Sequence, residues 1–220
     1  MPSATPYTPP ATPIAVLFAD AHLLVVDKPS GLLSVPGRGA GKEDCLASRL
    51  LADYPDALMV HRLDMGTSGL LVVARGAEAH RRLSRLFRER QVGKRYVAVV
   101  AGLLAEDAGS IDLPLITDWP NRPKQMVDHA LGKPSLTRYT VVDRNAAAGT
   151  TRVDLQPVTG RSHQLRVHLL SVGHPILGDD LYGDAASSSG ADRLLLHACS
   201  LALIHPFSGE PLVFSCPAPF

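Results

Sequence analysis

The sequence predicts an α+β fold: a mixed, mainly antiparallel sheet with flanking helices, in a single domain. Three observations carry this. Short apolar runs rich in β-formers outnumber the helical segments. These runs do not alternate regularly with helices, as a doubly wound parallel sheet would require. The chain has 220 residues, 45 % of them hydrophobic, with a mean hydropathy of +0.08, enough to bury one sizeable core and to exclude global disorder.

Five of the 18 prolines crowd the N-terminus, at Pro2, Pro6, Pro9, Pro10 and Pro13. Proline lacks a backbone donor and fixes φ, so residues 1–13 are expected to form an extended or disordered tail, with the compact part starting at Ile14 and running to Phe220. Ile14–Phe18 and Leu23–Val26 read as strands bounded by Asp, and Asp44–Tyr54 suits a helix. Met59-Val60 is a short strand, joined through a turn rich in Gly, Thr and Ser to a longer one at Leu70–Ala74. In Ala77–Arg90 the apolar Ala79, Leu83, Leu86 and Phe87 recur at i, i+4, i+7 and i+8, one face of a helix. Strands follow at Tyr96–Val100, Arg138–Val142 and Arg152–Gln156, then a helix over His163–Val172. Gly183–Ala191 (GDAASSSGA) offers few apolar anchors and reads as a mobile surface loop, before a last short strand at Val213–Ser215.

The charges nearly cancel: 22 Lys+Arg against 21 Asp+Glu, net +1. Attraction to a polyanion must therefore be local, and one patch stands out. Arg81, Arg82, Arg85, Arg88, Arg90, Lys94 and Arg95 follow one another with Glu89 as the single acid among them, a pattern that points to phosphate binding over a merely solvated helix face. The longest apolar run, Tyr96–Ala105, is broken by a glycine and far shorter than the roughly 20 residues that cross a bilayer, so no membrane role is expected. There is no secretory leader pattern. Cys45, Cys199 and Cys216 are odd in number and lack CxxC spacing, which argues against a disulfide framework or a cysteine zinc site and for reduced thiols in a cytoplasmic protein.

Two segments could carry chemistry. In His61-Arg62-Leu63-Asp64-Met65-Gly66-Thr67, an acid flanked by His and Arg sits in a turn where a carboxylate can be aimed at a ligand, or where it simply bonds backbone amides as an Asx-turn. In Thr159–His168 (TGRSHQLRVH), His163 and His168 are five apart, which separates them around a helix, so they read as hydrogen-bonded structural residues and no metal site is expected. Arg166 lies among Leu165, Val167, Leu169 and Leu170, an apolar setting in which a guanidinium needs an acidic partner, and Asp64 is one candidate.

The ordered segments HRLDMGTSGLLVVA (His61–Ala74), KRYVA (Lys94–Ala98), TGRSHQLRVH, GHPILGD (Gly173–Asp179) and LLHA (Leu195–Ala198) resemble the motifs of RluA-type RNA pseudouridine synthases. DLPLITDWPNRPKQ (Asp112–Gln125) and Gly132-Lys133-Pro134 extend the likeness to the branch of that family with dual specificity for 23S rRNA and the tRNA anticodon stem–loop. The resemblance implies the pseudouridine synthase fold in one catalytic domain over residues 14–220. The stretch before Asp64 is too short for the S4-like RNA-binding module of larger relatives, so none is expected. The resemblance implies an isomerase that flips a uridine out of the RNA, breaks N1–C1′ and joins C5 to C1′, with no cofactor and no metal. Asp64 is then the catalytic carboxylate, as nucleophile at C1′ or in a route through C2′ deprotonation. Arg166 keeps Asp64 ionised and oriented, and Tyr96 stacks on the target base. Arg62 fills the vacated space, while Arg81, Arg85, Arg88, Lys94 and Arg95 hold RNA phosphates. The implied partners are 23S rRNA and tRNA, bound by a cytoplasmic monomer with no protein partner and no membrane. A different rRNA or tRNA target is the alternative. An RNA-binding protein without catalysis would leave Asp64 without a purpose, and a hydrolase would need a second carboxylate or metal-binding acids, for which no spacing singles out Glu43, Asp44 or Asp179.

Overall fold

In the computed structural model, which describes residues 7–220, the β-rich runs pair antiparallel and helices are few. The fold is α+β with a mainly antiparallel sheet, as the run lengths predict. The chain forms two compact units, one from residues up to Val92 with Ala202–Cys216, the other from Gly93–Leu201 with Pro217–Phe220.

In the first unit, β1 (Ala15–Ala19) pairs with β2 (Leu23–Lys28), which pairs with β4 (Ser68–Arg75) in a register running from Leu23↔Ala74 to Lys28↔Gly69. β3 (Ala57–Met59) joins the same β4 from Ala57↔Arg75 to Met59↔Val73. Leu23–Val26 and Ser68–Ala74 are buried without a break, which is why they read as continuous apolar runs with no alternation. α1 (Leu46–Asp53) is capped by Cys45, whose thiol accepts from Ser48 N while Ser48 Oγ accepts from Cys45 N. α2 (Gly76–Arg88) packs on β3 and β4 and buries Ala79 and Leu83. These are two of the four residues its periodicity nominates; Leu86 and Phe87 are half-buried.

In the second unit, β5 (Gly93–Ala101), β10 (Thr150–Pro157), β9 (Leu136–Asn145) and β6 (Ala108–Asp112) lie side by side in that order, all antiparallel. β10 alternates strictly, burying Thr151, Val153 and Leu155, so one face of this sheet is the core face. Leu165 and Leu169 of α3 (Gln164–Ser171) join Ala98, Val100, Val153 and Leu155 in that core. A separate two-stranded sheet pairs β7 (Leu115–Thr117) with β8 (Gln125–Val127). β11 (Leu196–Ile204) runs from the second unit into the first, and a turn closed by His205 N donating to Glu210 O at 2.8 Å leads to β12 (Pro211–Ser215).

Two expectations change. Gly183–Ala191 is not loop throughout: it holds the helical turn α4 (Ala185–Ser188), capped by Asp184, whose Oδ1 accepts from Ser187 N at 2.8 Å and Ser187 Oγ at 2.7 Å. Ser187 is buried and its carbonyl accepts from Gly178 N at 2.8 Å, so polar anchors replace the missing apolar ones. In the proline-rich tail, Pro2 and Pro6 lie outside the described residues. Tyr7–Pro13 are extended but held, not disordered. Tyr7 Oη donates to Asp44 O and accepts from Leu33 N, both at 3.0 Å, and Arg49 Nη2 donates to Pro10 O at 2.8 Å.

Candidate active site

Asp64 sits in the loop that joins β3 to β4, and the backbone on either side of it is fixed by side chains reaching in from the β2–α1 connection. Ser34 Oγ donates to Leu63 O at 2.7 Å and accepts from Leu63 N at 3.2 Å. Lys28, 0 % exposed, donates from Nζ to Leu32 O at 2.7 Å, Pro29 O at 3.0 Å and Met65 O at 3.1 Å. Gly31 N also donates to Met65 O, and Ser30 Oγ donates to Gly66 O at 2.6 Å. Thr67 N closes a turn onto Asp64 O at 3.1 Å. At the loop's start, His61 Nε2 accepts from Val72 N at 2.9 Å and the ring stacks on Phe87 of α2, 4.2 Å between centroids. The carboxylate is therefore carried on a rigid segment, half-buried, with exposed Arg62 beside it. Gly69 at φ +106 ends the segment in a conformation that an L side chain adopts only with strain.

The other candidates lie in the second unit. Tyr96 is half-buried on β5 opposite Leu155, on the same face as Ala98 and Val100, and packs against the core. Lys94 shares that face. Burial pushes its ammonium below the ordinary lysine value, and its Nζ lies close to Gly160, where an added Cβ would meet it at 3.6 Å. Arg95 points to the opposite face and pairs with Asp154 at 3.5 Å.

Arg166 is 4 % exposed and forms a bidentate pair with Asp179, 1 % exposed: Nε to Oδ2 at 2.8 Å and Nη2 to Oδ1 at 2.6 Å. Two parallel charge-assisted bonds are the geometry that lets a buried ion pair offset its desolvation. Asp179 Oδ1 also accepts from Leu181 N and Tyr182 N at 3.0 Å, and the Tyr182 ring lies under the guanidinium at 5.0 Å. Asp179, in the connection that follows α3, is thus an acidic partner of Arg166 that residue spacing did not single out, and Asp180 Oδ1 lies 3.4 Å from the same Nη2. Gly178 (φ +70), just before Asp179, lets the chain pass close to the Arg193 backbone, since a Cβ there would lie 1.9 Å from Arg193 O.

The other polar residues of the TGRSHQLRVH segment build its frame. Gln164 Oε1 accepts from Thr159 Oγ1 at 2.7 Å, and Gln164 Nε2 donates to Thr137 Oγ1 at 3.0 Å. Thr137 Oγ1 lies 2.9 Å from His168 Nδ1, and His168 Nε2 lies 3.0 Å from Leu113 O. Burial lowers the His168 pKa from its ordinary value, so the ring is neutral near pH 7. His168 is a hydrogen-bonded structural residue, as its spacing from His163 predicts. His163 opens α3 in the left-handed region (φ 53) and places Nδ1 2.7 Å from the Tyr182 hydroxyl.

The seven cations do not form one uniform surface. Glu78, just ahead of the stretch that held a single acid, pairs with Arg81 and with Arg82 (2.7 Å), and Glu89 pairs with Arg85 at 2.7 Å. Arg82 also lies over Phe207 at 4.3 Å. With Lys94 half-buried and Arg95 paired, the exposed Arg88 and Arg90, with Arg62 on the Asp64 loop, form no ion pair among the described residues. These pairs are exposed and screened by solvent, so Arg81, Arg82 and Arg85 can exchange a carboxylate for a phosphate at small cost.

Comparison with known proteins places this geometry among relatives. The profile described as RNA pseudouridylate synthase matches residues 22–171. The chain is 55 % identical over 205 residues, 93 % of its length and 99 % of the relative's, to the "Dual-specificity RNA pseudouridine synthase RluA" of Yersinia pestis. It is 54 % identical over 215 residues to the protein of the same name from Escherichia coli K12, covering 97 % of this chain and 98 % of that one. Among solved structures it is similar to Human RNA Pseudouridylate Synthase Domain Containing 1, with a TM-score of 0.78 at 30 % identity over 100 % of this chain and 87 % of that one. A second, Human RNA Pseudouridylate Synthase Domain Containing 4, superposes with a TM-score of 0.72 at 28 % identity over 93 % of this chain and 88 % of that one.

Proposed function

We propose a mechanism from the premise that the chain belongs to the RNA pseudouridylate synthase family. It is an RNA pseudouridine synthase, an isomerase. Uridine and pseudouridine contain the same atoms, so the balanced reaction needs no cofactor: N1–C1′ breaks, the uracil turns, C5 bonds C1′, and the C5 proton is lost as N1 gains one. Asp64 is the catalytic carboxylate. The observation that carries this assignment is the loop around it, where Lys28, Ser30, Gly31 and Ser34 fix the backbone at Leu63, Met65 and Gly66. A group that must meet C1′ or C2′ at a set distance gains most from such preorganisation.

Tyr96 stacks on the target uracil. Arg166 stabilises the ionised carboxylate in the site, with its own geometry held by Asp179. Chemistry at C1′ and C5 requires the uridine to leave its stack, and the exposed Arg62 beside Asp64 enters the gap. Arg81, Arg85, Arg88, Lys94 and Arg95 serve the RNA backbone, Lys94 from a more buried position than the rest. Residues 14–220 act as one catalytic domain, a reading supported by the family profile, which runs unbroken across the boundary between the two units.

The substrates we assign are 23S rRNA and the tRNA anticodon stem–loop, supported by 55 % and 54 % identity, over nearly the whole chain, to synthases named as dual-specificity. The site of action is the cytoplasm, where those RNAs are modified. Among the described residues no helix is long and apolar enough to cross a membrane. Mapping pseudouridine in total RNA from a strain lacking this protein tests the assignment. One uridine in 23S rRNA and one in the anticodon stem–loop of certain tRNAs should lose the modification, and both should regain it with the wild-type chain. Loss in only one RNA class contradicts dual specificity.

A further inference from the structure

We infer that Trp119, at the tip of the β7–β8 hairpin, is a stacking platform for an unpaired base of the RNA substrate, and that Tyr182 sets where this platform sits relative to Arg166; the inference rests on the RNA synthase reading above. Trp119 is the only tryptophan of the chain and is 64 % exposed. A lone exposed apolar residue needs no explanation. Here, however, the Arg122 guanidinium lies 4.6 Å from the ring centroid and forms no ion pair among the described residues. A flat indole backed by a cation with no carboxylate partner is suited to a base over a phosphate-linked backbone, because every base has a π-face and every linkage a negative charge.

The loop is built, not slack. Asp118 N donates to Lys124 O at 3.0 Å, Lys124 N donates to Asn121 O at 3.1 Å, and Asn121 Nδ2 donates to Asp118 Oδ2 at 3.0 Å. That last bond engages the one carboxylate of the loop internally. The hairpin is also tied to the catalytic machinery of its own unit. Gln125 N, at the start of β8, donates to the Tyr182 hydroxyl at 2.7 Å. The same hydroxyl lies 2.7 Å from His163 Nδ1, and its ring lies under Arg166. Tyr182 is therefore a positioning residue, joining the exposed arm to the Arg166–Asp179 pair through one side chain.

The single tryptophan makes the test direct. Intrinsic emission of the full chain is titrated with a synthetic anticodon stem–loop RNA, and affinity and pseudouridine formation are measured on that RNA for wild type, W119A, W119F and Y182F. Stacking predicts quenching of Trp119 that saturates with binding. It predicts weakening of about 5- to 150-fold in W119A, the range one stacked base carries, and a smaller loss in W119F. The loss should fall on KM, with kcat at saturating RNA close to wild type. Y182F keeps the ring under Arg166 but frees the hairpin, so it should also raise KM and blunt the quenching. Unchanged emission at saturating RNA, or normal affinity in W119A, overturns the proposal. So does quenching that follows protein concentration without RNA, which would make the tip a contact between copies of the chain. Failure of the wild type to form pseudouridine overturns the functional reading instead, and the emission change is read independently of it.

Discussion

A lysine with no exposed surface stays inside a protein only when its donors are met, and Lys28 spends three of them on backbone carbonyls that define the Asp64 loop. Lys28→Met keeps the apolar stem but leaves Pro29 O and Leu32 O without this donor, while Met65 O keeps only Gly31 N. Unfolding in urea should show a loss of about 2–6 kcal/mol, at about 1–3 kcal/mol for each of the two carbonyls left unmet. Single-turnover rates should fall as well, because Met65 follows Asp64 directly; a normal rate in a stably folded variant would separate the loop from the chemistry. His168 leads to a pH prediction. Its folded pKa is held below the ordinary 6.5 by burial, so the unfolded chain takes up the proton first as pH drops. Its contribution is complete above about pH 6.5 and is lost as pH falls from there through the folded value. Replacing His168 with Asn should flatten the stability profile in that window, which thermal melts across pH would show. Residue types alone nominate Asp64, Arg166 and the structural histidines. Asp179 escapes them because it meets Arg166 from 13 residues away, outside the helix that a local window reads.

At the scale of elements, legibility follows length and side-chain type. β2, β4, β5, β9 and β10 are rich in Val, Leu or Thr, and each is found close to the limits of its apolar run. β7 and β8 are very short, β6 (AGSID) is poor in β-formers, and β11 (LHACSLALI) carries Leu and Ala that suit a helix equally well. These strands exist because neighbours pair with them, which no local window contains. The cationic helix is similar: the periodicity of α2 shows which way its arginines point but not which carboxylates meet them. That pairing yields a prediction. Arg88→Gln with Arg90→Gln removes cations free of ion pairs, whereas Arg81→Gln with Arg85→Gln removes cations already half-neutralised by Glu78 and Glu89. The first double variant should lower the slope of log K against log salt by about 1.4–1.8, at roughly 0.7–0.9 per phosphate contact. The second should lower it less. Salt titrations of RNA binding decide, and equal slopes for both variants and wild type would place the phosphate surface elsewhere.

For the whole molecule, a net charge of +1 means that affinity for RNA comes from where cations sit and not from their total. The proposed function gives binding and chemistry separate owners: the exposed cations that meet phosphates supply affinity, and Asp64 on its fixed loop carries the reaction. Asp64→Asn separates the two, since Asn preserves size and leaves the cationic surfaces intact. Single-turnover pseudouridine formation and RNA affinity, measured on the same substrate, are the readouts. The Asn variant should form no detectable pseudouridine and bind with a Kd within about threefold of wild type, as expected when a change spares the phosphate contacts. Pseudouridine formed by the Asn variant at a rate near wild type would contradict the catalytic assignment of Asp64.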